Sequence, residues 1–402
     1  MTEISDFGAI VLVVAAGISL ALLGRAITDR LSIPSAALFL VAAAAASDLV
    51  PELGDAVSFV TVERIGVVAL IVILFDGGMD IGWSRFRGAA VPILSLGILG
   101  TFATAALVAV AAHWLLGFSW TTSGLLGAAL APTDPAVTFS VLGGREIGGR
   151  TGTVIKGESG ANDPVGIALT IGMIELATSD DGSVWTVLGE FALEMVGGIV
   201  VGAAGALLLL PLLRRIPLPS PALHPLRMLA AAGVLYGLAT VVHGSGFLAV
   251  FVAGIVLGDR PLPHREEVDS FLSSLGSLAE IAMFAALGLT VDLTELVDNG
   301  GWFEGLALAA LLAFAIRPLV VGALLAPVRL GRNERLFVIW SGLKGAVPIL
   351  LAALAVIEGA DDAAELYGIV FVVVLFSVLV QGALVPAVAE RLGVPMERQL
   401  SS

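Results

Sequence analysis

Cysteine is absent from the 402 residues. That excludes disulfides, thiol nucleophiles and thiolate metal sites. Charge is scarce as well, at 13% of residues, against about a quarter in soluble domains. The four histidines are scattered without ligand spacing, which excludes a histidine-built metal centre. Lysine is almost missing: Lys156 and Lys344 are the only two among 20 basic residues. Acids outnumber bases 34 to 20, a balance that leaves nucleic acid out as a partner. The loops "TSDDG" and "EGADDAAE" carry many of those acids. A GC-rich genome accounts for the arginine bias, and a salt-adapted surface accounts for bias and acid together. The N-terminus, "MTEISDFGAIVL", lacks the basic flank of a cleaved signal peptide, so the first apolar run reads as a retained span.

What is present is apolar residue, 58% of the chain, with 48 glycines. Runs of about 20 apolar residues, the length that crosses a bilayer, recur throughout. Frequent glycine suits close packing of transmembrane helices. The chain reads as an all-α polytopic protein of the cell membrane. We place about thirteen spans, near 7–27, 33–50, 61–80, 88–114, 120–143, 151–178, 184–213, 225–242, 244–258, 270–291, 302–328, 334–357 and 366–388. The split between the eighth and ninth falls at His243-Gly244.

Charge offers an independent check on this division, because cytoplasmic loops collect arginine and lysine. Arg25 and Arg30 follow span one, Arg85 and Arg87 span three, Arg145 and Arg150 span five. Arg214, Arg215 and Arg227 follow span seven, Arg260 and Arg265 span nine, Arg329, Arg332 and Arg335 span eleven. Arg391 and Arg398 follow span thirteen. The alternate loops hold acids instead, among them Asp48, Glu52, Asp180, Asp181, Asp292, Asp361 and Asp362. The expected topology therefore has the N-terminus outside and the C-terminus cytoplasmic. Residues 1–402 read as one transmembrane domain without a cytoplasmic regulatory domain.

Charges inside spans cost several kcal/mol each and mark function by default. The set is Asp76, Asp134, Glu158, Asp163, Glu194, Glu280, Arg317 and Lys344. Span five reads "GLLGAALAPTDPAVTFSV". Two prolines flank Thr133-Asp134, and each removes a donor and disfavours helix before it. The expectation is an unwound break, tolerated only where it lines a cavity or is buried in protein. Its carbonyls can ligate a cation, and Asp134 sits where a new helix N-terminus favours an anion.

Span six carries "KGESGANDPVGIAL". Asp163 lies about 20 Å above Arg150, near mid-membrane. Ser159 and Asp163 share a helix face, with Glu158 and Asn162 on the neighbouring stripe. Carboxylate, hydroxyl, amide and a span-five carbonyl together form the oxygen set a hard monovalent cation takes. The same carboxylate also accepts a proton, because burial penalises its charged form. A site that holds either ion but never both is sufficient for exchange. Arg317, in "FAIRPLVV", needs a buried anion; Glu158 is the best candidate, with Asp163 and Glu280 as alternatives. Span twelve reads "VIWSGLKGAVPILLA", where Gly342, Gly345 and Pro348 mark a second break. Lys344 sits in it, where half-helix C-termini favour a cation. Spans five and twelve occupy corresponding places in two halves, roughly 7–178 and 225–388. Their odd offset makes the halves inverted, and paired broken helices point to a transport site.

"ESGANDP", "APTDPA", "FDGGMD" and "GLKGAVP" resemble the monovalent cation:proton antiporters of the NhaP type, relatives of animal sodium–proton exchangers. The resemblance runs over nearly the whole chain in the expected order. It implies two inverted six-helix repeats with crossed, discontinuous helices, a homodimer and a moving core. It implies Asp163 as carrier of cation and proton, Ser159 and the Thr133 carbonyl as ligands of Na⁺ or K⁺, and Asp134 acting nearby. Asn162 would tie span six to the break, and Glu158–Arg317 would be a structural pair. Asp76 matches a span-three acid that reaches the ion. Exchange would be electroneutral, because asparagine precedes Asp163. No cofactor is implied beyond the transported ions. Two departures stand out: Lys344 replaces the family's usual arginine and loses its bidentate fork, and aspartate at 76 resembles potassium-preferring members.

The leading reading is a sodium–proton antiporter with lithium as a further cation, and potassium–proton exchange is the alternative. A channel would need a continuous polar stripe, and the chain shows one compact cluster. An intramembrane aspartyl protease would pair Asp134 and Asp163 with a Gly-x-Gly-Asp motif, which is absent, so the chain does not read as an enzyme. Glu194 reads as a packed or interface residue; Glu280 borders the cytoplasmic funnel or is a neutral buried acid.

Overall fold

A computed structural model describes residues 34–55, 57–142, 145–178, 184–298 and 301–398. The first expected span, 7–27, with Arg25 and Arg30, and the acids at 180 and 181 lie outside the described residues.

From the second span onward, each expected segment has a helical counterpart. Span two is Ser35–Leu49. Spans three and four form one stack over Phe59–Leu94, broken at Gly82, whose positive φ of 63° suits glycine. Span four continues through Thr101–Ala111 to Leu116. Span six is Gly149–Thr178, span seven Val184–Arg215 and span eight Leu223–Val241. Span nine is Gly246–Gly258, with the eight–nine boundary at the expected His243-Gly244. Span ten, Arg265–Leu289, starts five residues earlier than the sequence reading, because Glu266 and Glu267 suit a first helical turn. Span eleven runs over Gly301–Leu325.

By length and composition, Phe59–Leu116, Trp185–Arg215, Arg265–Leu289, Gly301–Leu325 and Ala363–Leu392 qualify as crossing a membrane. Span six is 30 residues long and is not among them, because its polar stretch dilutes its hydropathy. It is instead enclosed by protein: Glu158, Ser159, Asn162 and Asp163 are all buried. It packs against spans three, four and five. A wide π-helical turn at Ser95–Gly100 packs against span six, and those at Leu312–Ile316 and Ser377–Gly382 line a small cavity with Arg317 and Lys344.

Among the described residues, one short two-stranded ladder accompanies the helices of the all-α fold. Strand β1, Arg145–Ile147, pairs antiparallel with β2, Met396–Arg398. Gly148 N–H also donates to the Pro395 carbonyl at 3.1 Å. Thr151 donates to Glu334 at 3.0 Å, and Asn333 donates to the Leu392 carbonyl at 2.9 Å. The loops after spans five, eleven and thirteen therefore meet at one face, the one that carries their arginines. At the other face, Ser47 donates to the Leu289 carbonyl at 2.8 Å, and Asp48 accepts from Leu293 N–H at 3.2 Å. Thr122 donates to Asp362 there at 3.1 Å.

Candidate ion-binding site

Spans five and twelve are both interrupted. Span five is helical over Trp120–Leu130 and again over Pro135–Ser140. Span twelve is helical over Arg332–Trp340 and again over Ala346–Ile357. The two unwound pieces cross. Asp134 N–H donates to the Leu343 carbonyl at 2.8 Å, and Thr138 Oγ1 donates to the Ser341 carbonyl at 3.2 Å. Each break thus satisfies part of the other's backbone, which a buried unwound segment needs.

Four half-helix ends meet here, and charged side chains serve them all. Lys344 Nζ donates to the Ala131 and Pro132 carbonyls, 2.9 Å each, at the end of the first half of span five. Arg317 donates to the Val338 and Ile339 carbonyls at 3.1 and 3.2 Å, at the end of the first half of span twelve. Asp134 caps the second half of span five, its Oδ1 accepting from Ala136 N–H at 2.8 Å. The same carboxylate reaches the Ala346 amide, which opens the second half of span twelve. One anion serves two helix N-termini and two cations serve the C-termini, the signs the helix dipoles favour. Both glycines of "GLKG" are required by this approach. A Cβ on Gly342 would strike the Arg317 guanidinium, and one on Gly345 would strike the Asp134 carboxylate.

Arg317 is also held by Glu158, Nη1 to Oε1 at 2.6 Å and Nη2 to Oε2 at 3.1 Å. The bidentate geometry resolves the three candidate partners of Arg317 in favour of Glu158. Residues Arg317 and Glu158 are only 8% and 3% exposed, so each charge depends on the other for compensation.

Asn162 braces the span-five break: its Nδ2 donates to Thr133 Oγ1 at 2.8 Å, and its Oδ1 accepts from Thr133 N–H at 3.3 Å. Beside it, the Ser159 hydroxyl faces the Asp163 carboxylate. Asp163 is 5% exposed, and its Oδ1 has no hydrogen-bond partner among the described residues. Asp134 and Lys344 are the charges nearest to it. A buried carboxylate oxygen left open beside a hydroxyl and an unwound backbone is the chemistry a small cation or a proton completes.

Asp76 is set apart. Its charged neighbours are Asp80, Asp269, Lys156 and Arg265, toward the arginine-rich face, rather than the Asp163 group. Glu194 has Glu190 as its charged neighbour, well away from the breaks.

Two residues of the site escaped the sequence reading. Ser377 Oγ accepts from Lys344 N–H at 2.8 Å and donates to Gln381 Oε1 at 3.0 Å. Both are buried in span thirteen. Their signal was available, since "FSVLVQG" places two polar residues four apart in an apolar helix.

The chain is similar to the K(+)/H(+) antiporter NhaP of Alkalimonas amylolytica, with 37% identity over 337 residues, 83% of this chain and 58% of that protein. It is similar to the K(+)/H(+) antiporter NhaP2 of Shewanella sp. (strain ANA-3), with 34% identity over 89% of this chain and 62% of that protein. The chain thus spans about three-fifths of these relatives' length. The Na(+)/H(+) antiporter NhaH of Halobacillus aidingensis is 27% identical over 89% of this chain and 92% of that protein. The fold is that of the sodium proton antiporter MjNhaP1 from Methanocaldococcus jannaschii at pH 8, with a TM-score of 0.79 at 23% identity, covering 92% of this chain and 98% of that one. Residues 8–391 match the family described as sodium/hydrogen exchanger, transmembrane, and the chain belongs to that family.

Proposed function

We propose that this protein exchanges a monovalent cation for protons across the cell membrane by alternating access at Asp163. The observation that carries the reading is the open Oδ1 of a buried carboxylate, set between Ser159 and two crossed helix breaks. Ser159 Oγ and the Thr133 carbonyl complete the coordination of Na⁺ or K⁺ with Asp163. A proton on Asp163 removes the charge that holds the cation, so the site carries one ion or the other. Asn162 holds Thr133 in place, and Asp134 and Lys344 fix the backbone that offers its carbonyls. Glu158–Arg317 locks span six to spans eleven and twelve and takes no part in ion binding.

Potassium–proton exchange is the alternative cargo, favoured by the names of the more similar relatives. The sodium reading is supported by the relative that matches over nearly its full length. The further elements of the proposal are a homodimer, inverted repeats near 7–178 and 225–388, electroneutral exchange without a cofactor, and an N-terminus outside with a cytoplasmic C-terminus. In proteoliposomes, imposed gradients of Na⁺, K⁺ and Li⁺ should each be tested for proton movement in wild type and Asp163→Asn. We expect movement for at least one cation in the wild type and none in the variant. Retained exchange in Asp163→Asn defeats the proposal, and the cation ranking decides the cargo.

A further inference from the structure

At the arginine-rich face, a cavity of about 490 Å³ opens between the ends of spans three, four and six. Its walls include Asp80, Arg85, Gly88, Gly149, Thr153 and Lys156. Lys156 Nζ sits 2.6 Å from Asp80 Oδ2 at the inner end of span three. The same ammonium lies 4.8 Å over the Phe139 ring, on the second half of broken span five. One side chain therefore ties span six to spans three and five.

The position of this pair on its helices gives it meaning. Lys156 and Asp163 are seven residues apart in one continuous helix. They fall on the same face, about 10 Å apart along the axis. Ser159, which faces Asp163, is on that face between them. On span three, Asp76 stands one turn further into the membrane than Asp80, and Asp80 and Lys156 are both among its charged neighbours. Asp269 faces the same cluster and is itself held by Arg265 at 2.6 Å. Asp80 and Asp76 thus lead from the cavity into the membrane along span three, and the Lys156 ammonium stands at their foot.

We propose that Lys156 is a tethered occupant of the approach to Asp163 and thereby a determinant of cation affinity at one face. Its ammonium takes at Asp80 the place an arriving monovalent cation takes, and it is displaced when that cation passes. The pair suits this role because it is partly solvated, with side chains 20% and 42% exposed. Ion pairs of that kind are weak and exchange readily. The bidentate Glu158–Arg317 pair, buried at one tenth exposure or less, is not displaceable in this way. The proposal rests on the reading of Asp163 as the exchange site reached from this cavity.

The test is the cation KM measured separately from each membrane face in oriented proteoliposomes, for the full chain. Lys156→Met keeps the stem over Phe139 and removes the charge. It should lower KM at the arginine-rich face by about fivefold, since charged clefts change local ion concentration by at least such factors. Asp80→Asn removes the carboxylate that holds the ammonium at 2.6 Å and should raise KM at that face by a similar factor, about fivefold. Lys156→Arg should stay near wild type, and the sign for Asp80→Asn still decides the matter if Lys156→Met fails to fold. KM at the opposite face should not move. Shifts of the same sign in both neutralising variants, or equal shifts at both faces, overturn the proposal. If wild type moves no protons in response to any cation, the antiport reading itself fails. Normal wild-type exchange with symmetric shifts defeats only the role of Lys156.

Discussion

The two helix breaks face the same physical problem and solve it with different charge balances. In span twelve, the cation on the exposed carbonyls is Arg317, and a bidentate carboxylate from Glu158 neutralises it. In span five, the cation is Lys344, which donates to two carbonyls and has no carboxylate at ion-pair distance among the described residues. Its charge is balanced only at longer range, by groups that include Asp163. One break is electrostatically closed, and the other leaves a carboxylate able to change partner. On the proposed function, the span-five break is the one that serves the ion, and the arginine at span twelve holds the frame.

The comparison is broken most severely by removing one side of the closed pair. Arg317→Leu should cost about 3–5 kcal/mol, because it strands Glu158 in a buried setting. The double change with Glu158→Leu should be less damaging than Arg317→Leu alone, as read by thermal unfolding in detergent. A double variant worse than the single would show that the two charges are not each other's compensation. Gly345→Ala comes next: its Cβ meets the Asp134 carboxylate, and overpacking of this kind costs about 1–3 kcal/mol. It should also slow transport, because it pushes Asp134 off the Ala346 amide. Lys344→Met leaves two buried carbonyls without a donor and should lose about 1–3 kcal/mol. Lys344→Arg should recover most of that loss, and equal loss in both would mean that the ammonium is not what holds the carbonyls. The smallest effect is expected from Asn162→Ala, which removes two hydrogen bonds to Thr133. About 1–2 kcal/mol of stability should go, and cation KM should rise more than maximal rate falls. A variant with unchanged KM would separate Asn162 from ion binding.

The breaks themselves were legible in the sequence. Pro132, Pro135 and the glycines of "GLKG" act through local backbone geometry, which needs no tertiary information. The same holds for Asp134 as a cap, whereas Lys344 reaching the span-five carbonyls and Asn162 bound to Thr133 join different helices, the second being implied by the family resemblance alone. Arg317 was legible as a charge in need of an anion with Glu158 as its best partner, and the rotational setting of two distant helices is what brings that pair together over Asp163 and Glu280. Asp134 reaching Ala346 across the crossing, Ser377 accepting from Lys344 N–H, and β1 pairing with β2 are likewise non-local. Asp80 passed unnoticed because it reads as an ordinary helix-end acid until Lys156 is placed 2.6 Å away. Asp76 reads from its motif as an ion-site residue, and the fold gives it Asp80 and Lys156 as neighbours instead.

The central claim is that Asp163 holds a cation or a proton and never both. It is tested most directly by measuring protons released when the transported cation is added to purified protein in weak buffer. Release should saturate with the cation, the half-saturating cation concentration should rise as pH falls, and neither effect should occur in Asp163→Asn. Saturable cation binding with no proton release in the wild type, or unchanged release in Asp163→Asn, would contradict it.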